Sequence, residues 1–301
     1  MSFAEDLSAA GYLLAWKTIR RLPERWVLPV AYRCADWLCR QGTGMDQLRR
    51  NLSRVVGPEN VTRDLVKQSM RSYARYWVEA FRLPEIHARP ELISRLYHNL
   101  YGLEYLDHAL DSGRGVILVL PHSGNWDMAG VFLVNHWGRF TTVAERLKPE
   151  VLFQAFVDYR EQLGFEVKPL HGGAPPFPEL RERLISGGVV CLLGERDIRH
   201  RGVPVRFFGE DTTMPAGPVK LAQETGASLH VVHLWYPGEG EWALQCSPEI
   251  PVTDLAETMQ KVANEMARNI QAHPQDWHVL QPLWPQDRAR VQEKRRKKRR
   301  G

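Results

Sequence analysis

A histidine and an aspartate follow an aliphatic run in the stretch VILVLPHSGNWDMAG, residues 116–130. Four residues separate His122 from Asp127, and three of them are small or polar, which lets the chain turn back so that the two side chains meet. An imidazole exchanges protons near neutral pH, and a neighbouring carboxylate fixes its tautomer and stabilises the imidazolium. The pair could therefore act as a general base on an alcohol, as acyl transfer to a hydroxyl group requires.

This spacing also has structural explanations. Asp127 could be an acid near the start of a helix, where it interacts with the helix dipole. His122 could be a histidine whose hydrogen bonds are satisfied within the fold. Short patterns of this kind often occur by chance. The chain contains no G-x-S-x-G sequence, so Ser123 is not expected to be a nucleophile.

The elements that must position these residues alternate between strands and helices. From about residue 98, short apolar runs such as GVILVLP, FEVKPL and GVVCLLGE alternate with helical segments such as PEVLFQAFVDYREQLG, whereas residues 5–80 are helical in pattern. This alternation predicts an α/β fold with a mainly parallel central sheet flanked by helices and an N-terminal helical segment. In such sheets, reactive groups lie at the carboxyl ends of strands, which is where His122 is found.

The domain organisation and the charge distribution can be read together. We expect one domain over residues 1–287, with a helical part at 1–84 and an α/β part at 98–287, and then a basic disordered tail at 288–301. The run KRRKKRR (294–300) holds seven of the 40 Lys and Arg residues, which leaves 33 basic against 35 acidic residues elsewhere. Such a tail suggests an anionic membrane surface or nucleic acid. The slightly acidic body has no nucleic-acid motif, which favours the membrane.

The remaining composition suggests a cytosolic protein. The four cysteines form no C-x-x-C pair or zinc pattern, so reduced thiols and no metal site are expected. No signal peptide and no apolar run long enough to span a bilayer are evident. Aromatic and basic residues interleave near the N-terminus, as in an interfacial helix, although a core-facing helix is the alternative. These residues are Tyr12, Trp16, Lys17, Arg20, Arg21, Arg25, Trp26, Tyr32 and Trp37.

Several blocks in order resemble the glycerolipid and lipid A acyltransferase superfamily, whose signature is the HxxxxD motif. PHSGNWDMAG matches that motif, VAERLKPEVLFQAFVDYREQLGFEV matches the second block, LLGERDIRHRGVPVRFFGEDTTMPAGPVKLAQETGA matches the third, and QPLWP resembles the terminal tryptophan motif. The order of blocks is similar to the branch that contains the lipid A lauroyl and myristoyl transferases and the phosphatidylinositol mannoside acyltransferases. The ERL and ERD forms look closest to the latter group.

The resemblance implies an O-acyltransferase that moves a long acyl chain, typically palmitoyl, from acyl-CoA to a mannose hydroxyl of a phosphoinositol mannolipid. It implies a peripheral protein at the cytoplasmic face of the plasma membrane, on an anionic inner leaflet. His122 would be the general base, Asp127 would orient or support the site, and Glu195 would pair with the histidine as a second catalytic carboxylate. Two parallel strands that end in His122 and Glu195 could place them side by side. The activated thioester permits direct attack without a covalent enzyme intermediate.

The candidate substrate-binding residues are less specific, and the resemblance implies only the first two of them. Glu145 and Arg160 would share the polar site, with Arg160 on the acceptor phosphate, and Arg199 is a similar phosphate candidate. Backbone N–H groups near Gly124 and Asn125 could stabilise the oxyanion. No metal is expected. No cofactor is expected either, because acyl-CoA is a substrate.

Two other functions stay open at this point. The first is a related enzyme that acylates lipid A precursors from acyl carrier protein. The second is a protein without catalytic activity that binds membrane or nucleic acid on the same fold.

Overall fold

The computed structural model describes Trp16 and residues 18–146, 149–173 and 175–300. Its helices are α1 (Glu24–Leu38), α2 (Asp46–Val56), α3 (Arg63–Ile86), α4 (Pro90–Leu96), α5 (Leu103–Asp111), α6 (Trp126–His136), α7 (Glu150–Gln162), α8 (Phe177–Ile185), α9 (Gly217–Thr225), α10 (Leu255–Ala272) and α11 (Pro285–Arg300). Its strands are β1 (Leu100–Tyr101), β2 (Val116–Leu120), β3 (Thr141–Ala144), β4 (Glu166–Pro169), β5 (Val189–Leu193), β6 (Val203–Phe207), β7 (Glu210–Met214), β8 (Ser228–Trp235) and β9 (Ala243–Cys246).

Seven of these strands form the central sheet, in the order β1-β9-β8-β2-β5-β3-β4. All neighbouring pairs are parallel except β8 and β9, which are antiparallel. Helices flank the sheet and α1 to α3 precede it. The predicted α/β class, with a mainly parallel sheet and an N-terminal helical segment, is therefore confirmed.

The core lies on both faces of the sheet. Alternate residues of a strand point to opposite faces, so Leu118 and Leu120 join an apolar cluster with α3 to α7. Ile117 and Val119 join a second cluster with α8, α9, α10 and the strands β6 and β7. Because β2 is covered on both sides, its sequence is a continuous aliphatic run rather than an alternating one.

The N-terminal aromatic residues divide between the core and the surface. Trp16 is buried against aromatic rings of α3 and α7, so the core alternative is correct for this residue. Trp26 and Trp37 on α1 are 60% and 75% exposed, as an interfacial face requires. Tyr12 and Lys17 lie outside the described residues.

Three elements differ from the predictions. The N-terminal helical part, predicted to end at residue 84, continues to Ile86, where α3 ends. The strands β6 and β7 form an antiparallel hairpin that interrupts the predicted alternation. The segment 288–300, predicted to be a disordered tail, is instead the continuation of helix α11.

The residue types at the end of the chain favour a helix. Pro285 opens α11 at the first position, where a missing N–H costs no hydrogen bond. Glu, Gln, Lys and Arg are strong helix formers, and Lys297 pairs with Glu293 at 2.7 Å one turn away. Among the described residues, no helix is both long enough and apolar enough to cross a bilayer.

Candidate active site

Strand register brings His122 and Glu195 together. In the ladder between β2 and β5, Leu120 is opposite Leu193. His122 and Glu195 each follow these partners by two residues, so they leave the sheet side by side at its carboxyl edge. The predicted pairing of these two residues is what the structure shows.

Two groups of His122 contact the same oxygen of Glu195. The backbone N–H of His122 donates to Glu195 Oε1 at 2.7 Å, and the imidazole Nδ1 lies 2.8 Å from the same oxygen. A carboxylate only accepts hydrogen bonds, so Nδ1 carries the proton and Nε2 is left as the basic nitrogen. The His122 side chain is 17% exposed and that of Glu195 is fully buried, so the imidazole is the member that substrate can reach.

Glu195 is ionised despite its burial. Burial alone would raise the pKa of this carboxyl, but the charge of His122 and the hydrogen bonds from its side chain and backbone outweigh burial and lower the pKa. A buried anion at this position stabilises the imidazolium that forms when His122 accepts a proton. The pair can therefore act as a general base with a charge partner.

Asp127 lies in the first turn of α6 and contacts other residues. Its Oδ1 accepts a 2.9 Å hydrogen bond from Arg160 Nε, and its Oδ2 accepts one of 3.0 Å from the Tyr76 hydroxyl. The expectation that its side chain meets His122 is wrong, because Glu195 occupies the position beside the imidazole. Burial would lower the pKa of Arg160, but the charge of Asp127 raises it overall. This is the behaviour of a buried ion pair.

Arg160 and Glu145 do not share one polar site as predicted. Arg160 lines an apolar cavity of about 70 Å³ beside α6, whereas exposed Glu145 lines the cleft that contains His122. Its bond to Asp127 gives Arg160 a structural partner, and the contact with the acceptor phosphate that the resemblance implied stays a prediction.

The structure corrects the oxyanion role predicted for the Gly124 N–H and gives the Asn125 side chain a structural role. The Gly124 N–H donates to the Asp276 carbonyl at 2.9 Å, so it is not available to an oxyanion. Gly124 has a φ of +55°, and an added Cβ would lie 2.7 Å from the carbonyl carbon of Leu234, which explains why glycine is needed. Asn125 is the N-cap of α6, and its side chain accepts from the Met128 N–H at 3.0 Å.

The other side-chain atom of Asn125 is also engaged. Its Nδ2 donates to Glu79 Oε2 at 2.7 Å, and Glu79 is ion-paired with Arg75 at 2.6 Å. The side chain therefore fixes the start of α6 against α3.

A cleft of about 440 Å³ opens beside His122. Its walls are mostly apolar, and its polar residues are three arginines together with His122, Glu145 and Asp197. The apolar residues include Val143, Leu170, Phe177, Leu180, Leu192, Leu193 and Leu221, and the arginines are Arg196, Arg199 and Arg201. Arg199 is exposed, and its guanidinium donates to the Leu170 carbonyl at 2.8 Å. The cleft therefore offers room for an apolar chain and positive charge for an anionic group.

The sequence reasoning missed two tryptophans that contact the pair. The ring of Trp126 lies edge-on to His122, with centroids 5.5 Å apart, and the indole N–H of Trp277 donates to Glu195 Oε1 at 3.4 Å. The terminal tryptophan motif drew attention to Trp284, seven residues beyond Trp277. No signal in the spacing of Trp277 could have identified its contact, because that contact depends on long-range packing.

Comparison with known proteins agrees with this geometry. The sequence model of the bacterial lipid A biosynthesis acyltransferases matches residues 7–286. The chain belongs to that family. Within the family, it is 52% identical to a phosphatidylinositol mannoside acyltransferase of Mycolicibacterium smegmatis over 283 residues, which cover 92% of this chain and 91% of the relative. A protein of the same name from Mycobacterium tuberculosis H37Rv is 52% identical over 282 residues, 92% of this chain and 88% of the relative.

A more distant member of the family is the lipid A biosynthesis acyltransferase of Haemophilus influenzae. It is 22% identical over 187 residues, which cover 62% of this chain and 58% of the relative. Membership of the family makes this chain an enzyme that transfers acyl groups, and the predicted family is confirmed.

Proposed function

We propose that this acyltransferase moves a palmitoyl group from acyl-CoA to a mannose hydroxyl of phosphatidylinositol mannoside, with His122 as the general base. The observation that carries the proposal is the hydrogen-bonded pair of His122 and Glu195, with His122 lining a large cleft whose walls are mostly apolar. The names of the relatives that are 52% identical over nearly their full lengths support the choice of acceptor.

The reaction follows from the orientation of the imidazole. The free Nε2 takes the proton from the acceptor hydroxyl as its oxygen attacks the thioester carbonyl, and Glu195 stabilises the imidazolium. The tetrahedral intermediate collapses as the carbon–sulfur bond breaks, and the imidazolium returns the proton to the departing thiolate. Because the thioester is already activated, positioning and one base suffice, and no covalent enzyme intermediate is needed.

The cleft supports the choice of donor. Its apolar residues suit a long acyl chain, since burial of each methylene contributes about 0.8 kcal/mol. Arg196, Arg199 and Arg201 lie in the same cleft, and guanidinium groups bind phosphate oxygens in pairs of hydrogen bonds. The phosphates of CoA and of the phosphoinositol group are both suitable partners for these side chains. Glu145 lies at the surface of the same cleft.

We also propose that the protein is peripheral at the cytoplasmic face of the plasma membrane. Trp26, Val30 and Trp37 are exposed on α1, and tryptophan suits the interface between lipid and water. The basic end of the chain adds positive charge, and each Lys or Arg near an anionic leaflet contributes about 1 kcal/mol. Flotation with vesicles that contain phosphatidylinositol should recover the protein, and loss of binding in Trp26→Ala/Trp37→Ala would link it to α1.

The test of the reaction offers the purified protein palmitoyl-CoA with both phosphatidylinositol mannoside and a lipid A precursor, and products are read by mass spectrometry. We expect an acylated mannoside from the wild type and at least a thousandfold less from His122→Ala. His136→Ala is the matched control, because His136 also pairs with a carboxylate, Asp107, at 2.6 Å, and it should keep its activity.

The acceptor that reacts decides between the open alternatives. Acylation of the lipid A precursor alone would replace the proposed acceptor. The absence of any acylated product from the folded wild type would favour a protein that binds membrane without catalysis. Equal activity of His122→Ala and wild type would remove His122 from the mechanism.

A further inference from the structure

The loop that carries His122 is held from behind by a segment distant in sequence. Residues 276–278, here called the clamp segment, run antiparallel to this loop, with Trp277 opposite Ser123. The His278 N–H donates to the His122 carbonyl at 2.7 Å. The Gly124 N–H donates to the Asp276 carbonyl at 2.9 Å. The two hydrogen bonds flank the bridge and fix the backbone on both sides of Ser123.

The middle residue of the clamp segment also reaches Glu195. The indole N–H of Trp277 donates to Glu195 Oε1 at 3.4 Å, which is the oxygen that receives both hydrogen bonds from His122. Three donors thus converge on one carboxylate oxygen. The other oxygen of Glu195 is buried and has no hydrogen-bond partner among the described residues, so only Oε1 fixes the orientation of the carboxylate.

The clamp segment is itself held firmly. The Asp276 carboxylate accepts a hydrogen bond of 2.5 Å from the Ser72 hydroxyl on α3 and one of 3.1 Å from the Tyr236 N–H. The Trp277 ring is fully buried, and it packs against Phe208 of the hairpin with centroids 5.8 Å apart. The indole therefore has a fixed place from which to donate.

We propose that Trp277 is a positioning residue for acyl transfer, which holds Glu195 Oε1 against His122 through its indole N–H. The inference rests on the proposed role of His122 as the base. Without the indole donor, rotation of the carboxylate would be opposed only by His122, the group that it must orient. The result would be an imidazole whose basic nitrogen points away from the acceptor hydroxyl in part of the population.

The test compares Trp277→Phe with a matched control, Trp284→Phe. Trp284 is equally buried in the same apolar cluster, and it stacks on Phe207 at 6.1 Å. Its indole nitrogen has no hydrogen-bond partner among the described residues. Both changes remove the same atoms from one core, but only the first removes a donor to Glu195.

We expect Trp277→Phe to lower kcat about tenfold with little change in the KM for acyl-CoA, as loss of one hydrogen bond to a charged group predicts. Trp284→Phe should stay within about twofold of wild-type kcat with a comparable loss of Tm. In a Glu195→Ala background, Trp277→Phe should cost much less than tenfold, because the side chain that the indole orients is absent.

Equal kcat losses in the two Phe variants, or an undiminished loss in the Glu195→Ala background, would overturn the inference. An inactive wild type would instead contradict the proposed function, so the two failures are distinguishable. If Trp277→Phe is recovered unfolded, Trp277→Tyr fills more of the indole volume and is judged by the same comparison.

Discussion

Replacement of Glu195 by glutamine isolates the charge of the catalytic pair. Glutamine has the same shape, and its carbonyl oxygen can accept both hydrogen bonds that Glu195 Oε1 receives from His122. The reverse orientation would direct an amide NH₂ at two N–H donors, so it is disfavoured. Glu195→Gln should therefore keep the tautomer and the position of the imidazole but lose the negative charge beside it.

The structure sets limits on the expected loss. At 2.8 Å and an effective dielectric constant of about 20, the attraction between the carboxylate and the imidazolium is about 6 kcal/mol, an upper limit. Exchange of a charged for a neutral hydrogen-bond partner costs at least about 1 kcal/mol. Since each 1.36 kcal/mol is tenfold in rate, we expect kcat to fall about 10²- to 10³-fold, between these limits.

Release of CoA thiol with phosphatidylinositol mannoside as acceptor measures this loss directly. Glu249→Gln is the matched control, because Glu249 is an exposed glutamate paired with Arg114, and its kcat should stay near that of the wild type. A Glu195→Gln enzyme with more than about a third of wild-type kcat would refute the role of the charge. Circular dichroism would show whether both variants fold.

Two further predictions concern stability. Asp127→Asn leaves the Arg160 cation without its partner in a largely buried position, so the free energy of unfolding should fall by about 3 kcal/mol in urea titrations; an unchanged midpoint would show that water solvates the guanidinium. Burial raises the pKa of Asp276 to about 6 from the ordinary 3.8, so the folded state holds this proton to higher pH than the unfolded state. The free energy of unfolding should fall by roughly 3 kcal/mol as pH rises from about 4 to about 6. Asp276→Asn should flatten this dependence on pH. Parallel curves of unfolding free energy against pH for the variant and the wild type would exclude Asp276 as its source.

The fold class followed from local sequence patterns. The aliphatic runs, the glycines and the prolines mark where strands and helices begin and end, so the alternation after residue 98 is visible without any tertiary information. The hairpin of β6 and β7 was not predicted. VPVRF alternates apolar and other residues as a half-buried strand does, but its partner EDTTM has one apolar residue and does not resemble a strand. The helical end of the chain was missed because a run of like charges was weighed above the helix propensity of Lys and Arg.

The candidate site was only partly accessible from sequence. That His122 and Glu195 end two strands is a local fact, but their contact depends on β5 being the neighbour of β2, although β3 and β4 lie between them along the chain. Only the resemblance to known acyltransferases indicated that pairing. The clamp segment was not predicted, since its contacts with the His122 loop join residues more than 150 positions apart and no periodic pattern records them.

The spacing of four residues between His122 and Asp127 has a reason other than the contact that it first suggested. Asp127 joins the start of α6 to Arg160 of α7 and Tyr76 of α3. The loop before it is fixed by the bridge between Ser123 and the clamp segment. The distance along the chain is therefore the length of loop that joins a fixed strand end to a fixed helix start. Lengthening this loop by one residue would move His122 away from Glu195 even with every side chain of the site retained.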